Sequence, residues 1–166
     1  MPIPPHSVLG NIDASAPGYW QGKLRFAERD VEVDLSIERG PVPEEVVTAL
    51  LARLEKLAEL DGAAREAMLS DGNAGVEEAP TLLYLEHHRD ELSDEELQQV
   101  FGSADRDLVD VNALLRHLHL VRVGLRPEDA EYQLLLDYSL GYDVTNYLIC
   151  AVFDSDGKFR TLDMES

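Results

Sequence analysis

Five histidines, one cysteine and 33 acidic side chains are the groups through which this 166-residue chain could do chemistry. A zinc site needs ligands that converge, such as two histidines four apart on one helix face or a Cys/His set at fixed spacing. His87 and His88 are adjacent, so on a helix they point about 100° apart. His117 and His119 lie where a helical pattern gives way to a strand pattern, His6 stands apart from the other four, and Cys150 has no thiol partner. His88 falls in line with Leu85 and Leu92 and reads as a histidine at the edge of the core with one nitrogen satisfied. No metal and no cofactor is expected from this set.

Asp154-Ser155-Asp156-Gly157 resembles part of a calcium loop. With Gly157 at the sixth loop position, Val152 falls first and Asp163 twelfth, whereas such a loop needs an oxygen donor first and a bidentate Glu last, between helices. The flanks read as strands, so the segment is expected to be a hairpin turn. Cys150 alternates with Leu148 and Val152 as a small core residue would, with no neighbouring base to activate it. There is no G-x-S-x-G elbow and no glycine-rich phosphate loop before a helix. No catalytic residue is therefore assigned.

The acidic residues are the larger signal. Against 33 Asp and Glu stand 14 Lys and Arg, a net charge of −19. Residues 41–104 hold 15 acids and 4 bases, residues 1–40 hold 6 and 4, and residues 105–166 hold 12 and 6. A small domain stays dispersed with a charge magnitude of about 2–8. The surplus creates a field that attracts basic proteins and repels nucleic acid and anionic lipid. Clustered Lys and Arg, which phosphate contacts require, are missing, so no nucleic-acid partner is expected. Each acid near a helix start is explained singly by the helix dipole and by hydration. The sum over the middle block is better explained by a docking surface, for which Glu77, Glu78, Asp90, Glu91, Asp94 and Glu95 are the candidate partner-binding residues.

The elements that must position these groups follow from periodicity. Residues 1–17 carry Pro2, Pro4, Pro5 and Pro17 and read as an extended or flexible arm; residues 18–166 read as one α+β domain. From Tyr19 the period is two: Val31, Val33, Leu35 and Ile37 face one way, and Glu32, Asp34, Ser36 and Glu38 face the other, as in a sheet with one wet face. Trp20, Leu24 and Phe26 match that apolar face across a turn at Glu28-Arg29-Asp30. A hairpin follows.

Beyond Gly40-Pro41 the period becomes helical. Pro43, Glu44 and Glu45 open a helix whose apolar stripe runs through Val46, Val47, Leu50, Leu51, Leu54, Leu57 and Ala58. Asp61-Gly62 predicts a break before a shorter helix carrying Ala64, Ala67 and Met68. After a loop at Gly72–Ala79, Pro80 opens a third helix. Ser93 and Glu96 form a capping box, with Leu92 and Leu97 as its staple. A fifth helix is predicted after Ser103, with Leu108, Val111, Leu115 and Leu118 at helical spacing. Four strands follow, at Leu118–Leu125, Tyr132–Ser139, Tyr147–Asp154 and Phe159–Met164.

Together these predict a mostly antiparallel sheet of about six strands, an N-terminal hairpin plus four C-terminal strands. A block of four to five helices is inserted between them and packed on one face. Val121–Glu128, Leu136–Gly141, Asn146–Asp154 and Asp163–Ser166, with the Gly22–Ile37 hairpin, resemble a bacterial family catalogued as domain of unknown function two-thousand-and-four. The resemblance covers about half the chain, implies an α+β fold and carries over no catalytic residue; the proline-rich N-terminal segment departs from the family pattern.

The N-terminus has no basic residue and no apolar stretch of signal-peptide length, no apolar run reaches membrane-spanning length, and one cysteine excludes an internal disulfide. A cytoplasmic protein is expected. The function class that fits is a non-enzymatic acidic protein-binding module, an immunity-like inhibitor whose partner is a basic protein such as a nucleic-acid-cleaving toxin. The alternatives are a small-molecule binder or enzyme with a pocket between sheet and helices near Tyr138, Tyr142 and Tyr147, and an oligomer paired through sheet edges.

Overall fold

The alternating segment from Gly18 to Ile37 folds as β1 (Gly18–Phe26) and β2 (Arg29–Ile37), antiparallel, in the computed structural model, which describes residues 2–166. Trp20 pairs with Leu35 and Leu24 with Val31, so their side chains share the apolar face. The turn is two residues long, Ala27 and Glu28, both at positive φ (50° and 64°). It therefore lies earlier than the Glu28–Asp30 expected. A two-residue left-handed turn matches strand twist, and this register keeps Val31, Val33, Leu35 and Ile37 all buried.

Five α-helices follow: α1 (Glu44–Leu54), α2 (Leu57–Asn73), α3 (Pro80–Glu91), α4 (Asp94–Phe101) and α5 (Val111–His117). They form the long crossover that lets β3 (His119–Leu125) return parallel to β2. β4 (Leu134–Ser139), β5 (Leu148–Phe153) and β6 (Phe159–Glu165) then add antiparallel neighbours. The six-stranded sheet has the order β1-β2-β3-β4-β5-β6 with one parallel pairing. The α+β class, the hairpin, the C-terminal strands and the helical block between them are as the periodicity predicts.

Two helix boundaries differ from expectation. The first break falls at Glu55-Lys56, and Asp61-Gly62 lies inside the continuous α2. A mid-helix glycine is tolerated at about 1 kcal/mol, and Asp61 is held there by Arg65 one turn on (3.1 Å) and by the Tyr138 hydroxyl (2.7 Å). The segment after Ser103 forms only a 3₁₀ turn at Arg106–Leu108, leaving Leu108 exposed. Asp110 then caps α5 by accepting from the Ala113 N–H. The Ser93–Glu96 capping box is present in both directions, and Leu92 and Leu97 are buried beside it.

The N-terminal segment is docked instead of extended. Leu9, Ile12 and Ala14 are buried in the common core, and Val8 crosses directly over β1 at Gly22. A Cβ at Gly22 would lie 2.2 Å from the Val8 carbonyl oxygen, so only glycine permits the crossing. With Ile3 and Val8 half-buried against the same core, five apolar side chains hold the segment down. The space between sheet and helices is filled by Val33, Leu35, Leu50, Met68, Tyr84, Leu114 and Phe153, all sealed from solvent.

Candidate functional site

The face of the sheet turned away from the helices carries a row of polar groups. Cross-strand partners share a face, and the register aligns Lys23, Glu32, Arg122, Asp137, Cys150 and Asp163 across all six strands. Asp34 lies one step along β2. It was expected on a wet face, yet it is only 4 % exposed, as is Asp137. Arg122 and Arg126 both reach the Asp34 carboxylate, and Arg122 lies beside Asp137 as well.

Asp34 accepts from Arg122 Nε at 2.6 Å through one oxygen and from Arg126 Nη1 at 2.6 Å through the other. Arg122 also approaches Asp137 at 3.5 Å. Arg126 reaches Asp34 by folding back over Gly124, where a Cβ would lie 3.2 Å from its guanidinium. Any side chain at 124 would press on that guanidinium.

The electrostatics of the two aspartates diverge. Burial pushes the Asp34 carboxyl up, but hydrogen bonds and charge from Arg122 and Arg126 outweigh it and hold the carboxyl below its usual range. Burial also pushes the Asp137 carboxyl up, and there the Cys150 thiol and the more distant Arg122 do not compensate. The Cys150 thiol is itself raised, first by burial and then by the Asp137 charge, so it stays protonated and inert as a nucleophile. Glu165 is raised by burial and by the neighbouring Asp137 and Asp163.

Above this network lies an open concavity of about 740 Å³, lined by Tyr19, Gln21, Lys23, Glu32, Arg122 and Tyr142. Tyr19 and Tyr142 stand exposed at its rim. Immobilised arginine beside exposed tyrosine is the composition of interface cores. Asp34 is saturated by guanidinium and the Cys150 thiol stays protonated, so neither is an activated nucleophile.

The pocket expected between sheet and helices is not where the concavity lies, because that interior is packed. Tyr138, Tyr142 and Tyr147 do not meet. Tyr138 is fully buried with its hydroxyl on Asp61, Tyr142 rims the opposite face, and Tyr147 lies against His87 (ring centroids 4.4 Å apart). Tyr84, pushed up to about 12 by burial, donates its hydroxyl to the Tyr147 carbonyl and accepts the Leu140 N–H.

The six carboxylates proposed as partner contacts are all exposed, but they form two groups. Glu77 and Glu78 precede α3, whereas Asp90, Glu91, Asp94 and Glu95 gather at the α3–α4 corner. The 12 residues of α3 separate the groups by about 18 Å at 1.5 Å per residue. Asp90 pairs loosely with Arg89 (3.8 Å) and Asp94 with Arg106 (3.3 Å).

His88 is buried with both ring nitrogens engaged, Nδ1 with the Tyr84 carbonyl (2.7 Å) and Nε2 with Thr145 Oγ1 (2.8 Å), one partner more than its helical position suggested. His6 accepts two backbone N–H groups in the N-terminal turn. Asp154 caps the β5–β6 turn by accepting from the Asp156 and Lys158 N–H groups. Among the described residues, no three His, Cys, Asp or Glu side chains converge as metal ligands would, and no helix is long and apolar enough to cross a membrane. No family model, curated protein or solved structure matches the chain.

Proposed function

We propose that the chain is a non-enzymatic protein-binding module whose acidic helical surface engages a basic protein, as an immunity-like inhibitor does. The observation that carries this reading is how the helical block sorts its charge. Of the 15 acids in residues 41–104, 11 are exposed. Two of the block's four cations turn inward: Arg53 donates to the Ser155 carbonyl, and Arg65 to the carbonyls of Leu115 and Leu118. The surface a partner would meet is therefore carboxylate-rich, which favours fast, salt-sensitive association with a cationic protein. The corner formed by Asp90, Glu91, Asp94 and Glu95 is its densest part. Membership of the domain-of-unknown-function family, suggested by the strand-and-turn segments, and a cytoplasmic location belong to the same proposal.

The test is affinity capture from native bacterial lysate, with partners identified by mass spectrometry and eluted in a salt gradient. A basic partner released by moderate salt, and lost when Asp90, Glu91, Asp94 and Glu95 are changed together to amides, supports the reading. Partners that are acidic or neutral, held equally at high salt, refute it. The concavity on the uncovered sheet face favours a second reading, ligand binding over the Asp34–Arg122 network; loss of a captured partner on Tyr142→Ala but not on the amide changes would select it.

A further inference from the structure

Four elements distant in sequence enclose another hollow, of about 400 Å³. Arg29 enters it from the start of β2, Gln99 from α4, His117 and His119 from the α5–β3 junction, and Asp143 from the β4–β5 loop. Leu118 between the histidines is extended (φ −76°, ψ 133°) and turned into the core. His117 closes α5 and His119 opens β3, and both line the hollow.

These donors have no partners. Among the described residues neither imidazole makes a hydrogen bond, and Arg29 makes neither a hydrogen bond nor an ion pair; His117 only contacts the Phe101 ring edge-on. Arg29 shares the lining with both histidines, and no carboxylate pairs with it among the described residues. Burial, then the positive charge of Arg116, lowers His117; burial, then Arg29, Arg65 and His117, lower His119. Asp143 is the carboxylate on the lining.

We infer that this hollow is a binding site for a small phosphomonoester, its phosphoryl oxygens held by the Arg29 guanidinium and by one ring N–H each from His117 and His119. A guanidinium fork matches phosphoryl geometry and keeps its charge at any accessible pH. An imidazole donates an N–H in either charge state, and a bound dianion favours the doubly protonated ring. The remaining lining includes Val100, Leu140 and Val144, apolar contacts suited to an organic group on the ester and of no use to a bare phosphate. Binding takes up protons at the histidines, so affinity rises as pH falls from 8 toward 6.5, by up to about tenfold per pH unit for each proton taken up.

The experiment is a titration of the full chain with inorganic phosphate and with phenyl phosphate at pH 8 and 6.5, read by side-chain histidine NMR. Expected are saturable shifts at His117 and His119 with His6 and His87 unmoved, tighter binding of the phenyl ester, whose second pKa is about 6, at the lower pH, and tighter binding of the phenyl ester than of phosphate. Arg29→Ala, at an exposed position, should weaken binding at least tenfold, and Asp143→Asn should strengthen it. Shifts that do not saturate, that include His6 and His87 equally, or that persist unchanged in Arg29→Ala overturn the site. Equal affinity for phosphate and phenyl phosphate overturns the ester assignment.

Discussion

Replacing Arg122 with Met isolates the energetics of the uncovered sheet face. The substitution keeps most of the aliphatic length while removing the guanidinium that contacts Asp34 at 2.6 Å and Asp137 at 3.5 Å. Removing one member of a fully buried ion pair costs about 3–5 kcal/mol, because the other charge is stranded. Here Arg122 is about one-third exposed while both aspartates are almost completely buried, so solvent screening reduces the figure to about 2–3 kcal/mol. For a chain of this length that is a fall in Tm of about 5–10 °C.

The pH dependence separates this explanation from simple loss of packing. Asp34 lies below its unfolded pKa, so it stabilises the fold above that value, and the benefit fades as acid titrates it. Asp137 has the opposite sign: its folded pKa is raised, so its ionised form opposes folding and the penalty shrinks as pH falls through that pKa. Without Arg122 the Asp137 penalty grows, and it is relieved by protonation. Urea unfolding of Arg122→Met should therefore show a deficit of about 2–3 kcal/mol at pH 7 and a smaller one at pH 5. Adding Asp137→Asn should restore at least about 1 kcal/mol at pH 7. A deficit below about 0.5 kcal/mol, or one equal at both pH values and unrelieved by the second change, refutes the account.

Gly22→Ala should lift the N-terminal segment off β1, because its Cβ would meet the Val8 carbonyl oxygen at 2.2 Å. Limited proteolysis should then cut within residues 2–17 faster than in the parent, at a stability cost of about 1–3 kcal/mol. Thr145→Val leaves His88 Nε2 buried without its partner, an expected loss of about 1–3 kcal/mol by chemical denaturation. His88 is depressed by burial, so its neutral form stabilises the fold above the unfolded imidazole pKa. That contribution is lost as pH falls through the folded pKa.

The sheet was legible because period-two alternation is a local signal: Val31, Val33, Leu35 and Ile37 announce their face without reference to anything distant. The Ser93–Glu96 cap was legible for the same reason. What sequence reasoning missed is non-local. Asp34 and Arg122 meet across 88 residues, and in a chain this rich in acids nothing marks Asp34 as different from the exposed carboxylates beside it. The available clue was Arg122 and Arg126 flanking Gly124 on one strand face, where the small residue lets the second arginine fold back. The misplaced break at Asp61-Gly62 has a like cause. A helix-weakening pair survives because Asp61 is fixed by Tyr138, a residue 77 positions away.

The way the fold distributes its cations sharpens the argument for charge-guided recognition. Of 14 Lys and Arg, Arg53, Arg65 and Arg106 donate to backbone carbonyls, and Arg122 and Arg126 are bound to Asp34. These guanidiniums act as internal struts, holding the β5–β6 turn, the α5–β3 junction and the sheet face in place. Their charge still counts in the far field, but within a Debye length, about 8–10 Å at moderate salt, an approaching molecule meets mostly unpaired carboxylates. The contact surface is thus more anionic than net charge alone implies. Against that surface, Arg29 with His117 and His119 forms a small electropositive recess that a basic protein would avoid and a phosphoryl group would enter.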